Sequence, residues 1–443
     1  MGIAKHLTGL VVAFGLVSAC SQEEPVLPGE RFDVRDRGAD AGLAIVDGDP
    51  GADATIALRL PAPVTNSNWT HPGGSEAHTI PHPSLDRSLD RVWSVSIGDG
   101  ASRGHRLTAD PVVSDGRVFA MDSRSMVSAV TTTGQVIWTR SLTPASDRDD
   151  DASSGGIAVA GNTLYATTGF GTLWALDATS GAVRWTQDLD SMPTGAPLVD
   201  GGRVFVTTRD GTGWAIDTTN GRLLWEVLGR TSDGGLVGGA GPALAGPLVI
   251  FPFSSGQMVA AGANTGAVSW AASVGGRDRT RAFSAFGDFA GPPVVSDTHV
   301  YGATHAGRLT AVSLSSGRAD WSADVGAVNP IWLGGNSLFF VSPENVLTRL
   351  DAESGQTVWQ TPLALFEARR ASRIKSTFVH YGPVLAGGRL IVASDDGVLR
   401  EFDPVAGELI RETDLGNGLA RNPVVAGGVL YLVTQNGQLH AFR

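Results

Sequence analysis

The sequence predicts an all-β fold, an eight-bladed β-propeller of four-stranded antiparallel blades, closed by an N-terminal strand that completes the last blade. Three observations carry this. A Gly followed four residues later by Trp recurs at an average spacing of about 45 residues, the length of a propeller blade. An apolar strand start, usually opened by Pro, recurs eight times in step with it. Glycine makes up 58 of 443 residues, well above the usual share of roughly 7% and without a collagen period, so turns must absorb the excess.

The spaced pairs are Gly134/Trp138, Gly181/Trp185, Gly221/Trp225, Gly266/Trp270, Gly317/Trp321 and Gly355/Trp359, with Gly407/Arg411 as a degenerate seventh. The strand starts ahead of them are Pro111, Gly156, Pro197, Pro242, Pro293, Pro330, Pro383 and Pro423. The last unit ends at Arg443, three strands in, without its Gly-xxx-Trp strand. A matching strand waits at the other end of the domain, residues 91–97, where Trp93 stands for the repeated Trp. Its pairing with the last unit closes the ring and removes the free edges of an open array. Within each repeat, as in residues 175–185 and 215–225, Asp accepts turn amides and Gly takes positive φ, which makes a hairpin. The Trp then carries its ring to the contact between neighbouring blades, as a girdle, and the small Ala ahead of the Asp suits a narrower layer.

The N-terminus reads as an address. Residues 1–19 have a short charged start, an apolar run far below the ~20 residues of a membrane span, and small residues before Cys20, the pattern of a secretory signal. Val17-Ser18-Ala19-Cys20 resembles the bacterial lipobox, which makes Cys20 the acylated anchor. Ser21 after it implies sorting to the outer membrane, facing the periplasm. Residues 20–88 hold eight Pro and eleven acidic residues and read as a tether, with a strand expected near residues 53–60 and Trp69 pinning its end to the body. His71, His78 and His82 read as ordinary polar residues of that tether rather than metal ligands. The propeller then occupies residues 89–443.

Several chemistries are excluded or unsupported. A single cysteine rules out a disulfide framework and CxxC redox or zinc sites. A net charge of −11 argues against nucleic acid, whose phosphates need a row of cations. GxSxG, HExxH and P-loop motifs are absent from the sequence. Asp147, Asp149, Asp150 and Asp151 cluster after the first blade without an EF-hand pattern and read as a solvated loop, and the glycine-rich stretch 234–241 lies between strands. No catalytic residue, metal or cofactor is expected.

The repeat Ala-x-Asp-x-x-x-Gly-x-x-x-Trp resembles the tryptophan-docking motif of eight-bladed quinoprotein-type propellers, with variants at residues 260–270, 311–321, 349–359 and 401–411. Two functional classes share it. The quinoprotein dehydrogenases hold pyrroloquinoline quinone with calcium and an adjacent cysteine pair, which this chain lacks; a glycan-binding propeller is a further alternative. The chain more closely resembles the BamB family of outer-membrane-protein assembly factors, on the signal, Cys20, the repeat count, the closing strand and the size. That resemblance implies a lipoprotein scaffold, not an enzyme, which binds the POTRA domains of BamA and aids insertion of β-barrel proteins. It places the partner surface on the inter-blade loops 226–241 and 271–292. There Leu236 and Val237 stand where the family has Leu-Arg, Asp288 keeps the first of two acidic positions, and Phe283, Phe286 and Phe289 are available as apolar anchors near Arg277, Arg279 and Arg281. A third loop, 361–381, carries Arg369, Arg370, Arg373 and Lys375 with Phe366 and Phe378 and reads as a solvated rim.

Overall fold

A computed structural model describes residues 55–149, 151–232, 239–275, 287–366 and 376–443. Its strands form eight four-stranded antiparallel sheets, and no helix occurs among the described residues. Blade 1 runs outward from the channel as Val112–Ser114, Arg117–Met121, Met126–Thr131 and Val136–Ser141, and the next six blades repeat this order. In blade 8, Val424–Ala426, Val429–Val433 and Gln438–Phe442 are completed by Arg91–Ser96, which pairs antiparallel with the last of them. The predicted eight blades, their starts and the N-terminal closing strand are all present.

Strand alternation explains how the blades join. Because successive side chains point to opposite faces, each middle strand serves two neighbours at once, and it must be apolar throughout. In blade 1, Phe119 and Met121 pack in the cluster shared with blade 2, while Val118 and Ala120 enter the one shared with blade 8. Separate clusters join blades 2 and 3, 3 and 4, 4 and 5, and 5 and 6. The largest cluster runs through blades 6, 7 and 8 and returns to blade 1, which closes the ring.

A second device operates at the rim. In every blade the residue before the repeated Trp is an extra one, a β-bulge that shifts the register beside the Ala–Trp pair: Ala129 faces Trp138, yet Val130 faces Val136. The same shift recurs beside Ala175, Ala215, Ala260, Ala311, Arg349 and Glu401, and in blade 8 between Arg91 and Trp93. A bulge re-aims the following side chain, and here it sends the indole onto the hairpin of the next blade. The receiving residue is the hairpin glycine. At Gly317, φ is 69°, and a Cβ would stand 2.5 Å from Trp270 Cβ, so both backbone and space require Gly. Six of the seven indoles also donate to a carbonyl of that hairpin, as Trp185 does to Thr218 at 2.8 Å and Trp270 to Leu314 at 2.8 Å. The hairpin is held open for them by its Asp, for Asp177 Oδ1 accepts the Thr179 and Ser180 amides at 3.0 and 2.9 Å. Arg184 bonded to the same carboxylate lowers the Asp177 pKa to about 2. Contrary to a fully buried girdle, only Trp270 and Trp359 are buried; Trp93, Trp138, Trp185, Trp225 and Trp321 are half-buried.

Arg411 departs from the pattern for a reason of topology. The outer strand of blade 8 comes from the N-terminus, so blade 8 has no outer hairpin and no glycine for a Trp of blade 7 to meet. Arg411 instead reaches Glu401 at 3.3 Å and donates to the Arg87 carbonyl at 2.5 Å.

The N-terminal segment corrects the sequence reading. From residue 55 to 90 the chain is not a free tether but packs on the propeller, and residues 55–60 form no strand. Arg349, buried where other blades have Ala, donates to the Ile56 carbonyl at 3.0 Å, and Arg389, ion-paired with Glu401, donates to that of Asp86. Trp69 is 1% exposed and stacks on Trp332 with ring centroids 5.9 Å apart, which bears out its expected pinning role. His71, His78 and His82 are buried rather than solvated. His71 Nε2 accepts the Val199 amide at 3.1 Å, and His82 Nε2 that of Gly388 at 2.8 Å. Burial, then the neighbouring His78, drives the His71 pKa down to about 3; the Glu76 carboxylate 3.9 Å from Nδ1 favours the cation but is half-exposed and is outweighed.

Trp270→Ala is expected to cost about 3–5 kcal/mol in urea unfolding, as for a large buried aromatic, and Trp138→Ala less because its ring is half-exposed. The histidine predicts a pH slope. Unfolded His71 takes up a proton below pH 6.5 and folded His71 does not until about 3, so its contribution is complete above 6.5 and falls by about 1.4 kcal/mol per pH unit below it. Urea midpoints between pH 7.5 and 5.0 should show this fall, and His71→Gln should remove one proton's worth of it.

Candidate functional site

The inner strands begin around a collar of small residues, because eight chains converge there. Ala109, Gly156, Ala196, Gly241 and Gly291 stand just before or at the starts of their strands, and a Cβ on Gly156 would come within 2.5 Å of Ala196 Cα. The collar is stitched from blade to blade by hydroxyls. Thr108 donates to the Gly155 carbonyl at 2.7 Å, Thr167 to Gly195 at 2.9 Å, and Thr194 to Ala240 at 2.7 Å. The first and last blades are clasped by charge instead: buried Asp110 accepts from Arg421 Nε at 2.7 Å and Asn422 Nδ2 at 2.9 Å.

Inside this collar lies a cavity of about 530 Å³, lined in part by Pro72 and His78 of the N-terminal segment and by Phe378 and Tyr381. His305 and His380 line it, and burial lowers the pKa of both, so they are neutral at pH 7. His380 is held between the Ser394 hydroxyl at 2.6 Å and the Ala364 carbonyl at 2.7 Å. Among the described lining residues Asp110 is the one carboxylate, and the Arg421–Asn422 clasp occupies it. A quinone held with a calcium ion needs several oxygen donors free to face the channel, and these residues do not fit that demand. No group of three or more potential metal ligands occurs among the described residues.

The described ends of the two loops that the sequence marks for a partner reach this cavity. Gly239 and Gly241, at the end of one of them, and Ala290, at the end of the other, line the cavity. Phe289 is not an exposed anchor. It is 3% exposed, bridges Thr304 and lies in the core between blades 4 and 5, where a Cβ on Gly302 would meet its ring at 2.8 Å. Asp288 is likewise buried, with its carbonyl accepting the His305 amide at 3.0 Å. Neither side chain is presented to a partner. Leu236, Val237, Phe286, Phe283, Arg277, Arg279, Arg281, Arg369, Arg370, Arg373, Lys375 and Cys20 lie outside the described residues. Asp147, Asp149 and Asp151 are exposed, and Asp149 meets Arg124 at 3.4 Å.

An apolar surface that belongs to none of the sequence motifs precedes the first loop. The outer strand of blade 3, Leu223–Leu228, exposes Leu223, Leu224 and Leu228, the last to 77%. Its one charged residue is Glu226, whereas the outer strands of blades 1, 2 and 5 carry Arg140, Arg184 and Asp320. The signal was present as three Leu in the six residues of an outer strand, where the blade pattern leaves alternate side chains in water.

Residues 123–361 and 365–443 match the family model described as outer membrane protein assembly factor BamB. The outer membrane protein assembly factor BamB of Salmonella typhimurium is 30% identical over 358 residues, covering 79% of this chain and 88% of that protein. Among solved structures, BamB from Moraxella catarrhalis superposes with a TM-score of 0.67 at 21% identity, over 80% of this chain and 100% of that one. Quinohemoprotein alcohol dehydrogenase from Comamonas testosteroni gives a TM-score of 0.65 at 16% identity, over 85% of this chain and 80% of that one. At such identities the two structures share the propeller, and the similarity extends no further than the fold.

Proposed function

The chain belongs to the family of the outer membrane protein assembly factor BamB, and from that membership we propose that it is a non-catalytic scaffold of β-barrel assembly at the outer membrane. In this reading Cys20 carries the lipid anchor, the propeller faces the periplasm, and its partners are the POTRA domains of a BamA-type protein, with unfolded barrel proteins as clients. The observation that supports a docking role is the exposed apolar edge of Leu223, Leu224 and Leu228, which runs directly into the loop bearing Leu236 and Val237. Exposed Leu side chains grouped on one edge favour burial against another protein, since each regains about 1.5–3 kcal/mol when taken from water. The cavity supports the non-catalytic part: its carboxylate is engaged and its histidines are neutral, so it offers no paired acid and base.

Leu228→Asp is expected to weaken capture of a purified POTRA array by at least tenfold, about 1.4 kcal/mol, while leaving the unfolding midpoint within about 0.5 kcal/mol of the wild type. Unchanged capture would remove this edge from the interface. For the anchor, Cys20→Ala should abolish palmitate labelling in cells and move the protein into the soluble periplasmic fraction. Retention of the variant in the membrane would contradict the assignment.

A further inference from the structure

The innermost strand of each blade has a free edge toward the channel, and its N–H and C=O groups need partners there. In this chain one short stretch serves all eight edges. Starting at Asn66 it follows the blades in ring order. Asn66 accepts the Gly427 amide at 2.7 Å and donates to Val425 at 2.7 Å, on blade 8. Trp69 and Val113 of blade 1 exchange two bonds of 2.8 Å. The Thr70 carbonyl takes the Val159 amide of blade 2 at 3.0 Å, and the His71 ring that of Val199 on blade 3 at 3.1 Å. The Glu76 carbonyl takes Leu244 on blade 4 at 2.8 Å, and Ala77 takes Val295 on blade 5 at 3.0 Å. Thr79 donates to Leu333 of blade 6 at 3.4 Å, and Pro83 accepts Gly387 of blade 7 at 2.9 Å. The circuit is then fastened to itself, since Val64 donates to His82 at 2.9 Å and accepts Ser84 at 2.8 Å.

We propose that residues 64–84 are a resident plug: the inner edges of the eight blades form a peptide site whose occupant is the chain's own N-terminal segment, and seating it locks the ring. Trp69 drives the seating, because its ring crosses from blade 1 to stack on Trp332 of blade 6. Pro72 and His78 bring the seated segment to the wall of the cavity. The circuit has no partial form that satisfies all eight edges, so its bonds form and break together.

Hydrogen exchange on the full chain tests this. In Trp69→Ala the amides of Val159, Val199, Leu244 and Val295, on four blades, should lose protection together by at least tenfold more than amides paired between third and outer strands, such as those of Ala129 and Ala175. Asn66→Ala, which removes the side-chain bond to the Val425 carbonyl on blade 8 without opening the core and leaves the backbone bond to Gly427, should move the same four amides. Faster exchange confined to the neighbourhood of Val113 in the first variant and of Gly427 in the second would overturn the plug as one unit. An equal loss at inner and outer strands in both variants would overturn it too, since that is general destabilisation.

Discussion

The contact on which the ring depends is an indole laid on a glycine of the next blade. Each blade alone is a small twisted sheet with two apolar faces, and nothing in its own strands fixes the angle at which a neighbour packs. The bulge before the Trp sets that angle by turning one side chain out of the sheet, and the Gly admits it where a Cβ would collide. Beneath most of these indoles lies a ring of the same blade: Phe119 under Trp138, Tyr165 under Trp185, Tyr301 under Trp321. Indole, ring and glycine thus repeat as one unit, and the core clusters between blades fill the space that this unit leaves.

The same chain solves the opposite problem at the axis, where edges are too crowded for large side chains. The collar is built from Gly and Ala so that eight strands can converge, and it therefore has little apolar surface to hold it together. Hydroxyl stitches, the Asp110–Arg421–Asn422 clasp and the inserted N-terminal stretch supply polar contacts in its place. These collar groups are already bonded to each other among the described residues.

The repeat made the fold legible. A period of Gly-xxx-Trp and eight strand starts locate every blade, and the missing last strand points to Trp93. Beyond residue 54 the N-terminal segment departs from the expected free tether, because Pro and acidic content reports composition and not long-range contacts. Its histidines and Trp69 make contacts with residues more than a hundred positions away, which no local pattern records. Phe289 failed for a related reason. An aromatic in an inter-blade loop looks available in sequence, yet the loop ends by dipping toward the channel, and Phe289 is drawn into the core there. The exposed leucines of blade 3 were legible only once the strand's position at the rim was known.

Arg411 marks where the circle of repeats is cut. Asp90 and Arg443 are bonded to each other in both directions, at 2.9 and 3.0 Å, so the two ends of the propeller already lie side by side. Were they joined by an Asp-x-x-x-Gly turn and the chain opened between two other blades, blade 8 would gain the hairpin it lacks. Position 411 would then face a glycine, and the arginine there would stand where the other outer strands have their Trp. The irregularity therefore belongs to the location of the chain termini and not to the blade that carries it.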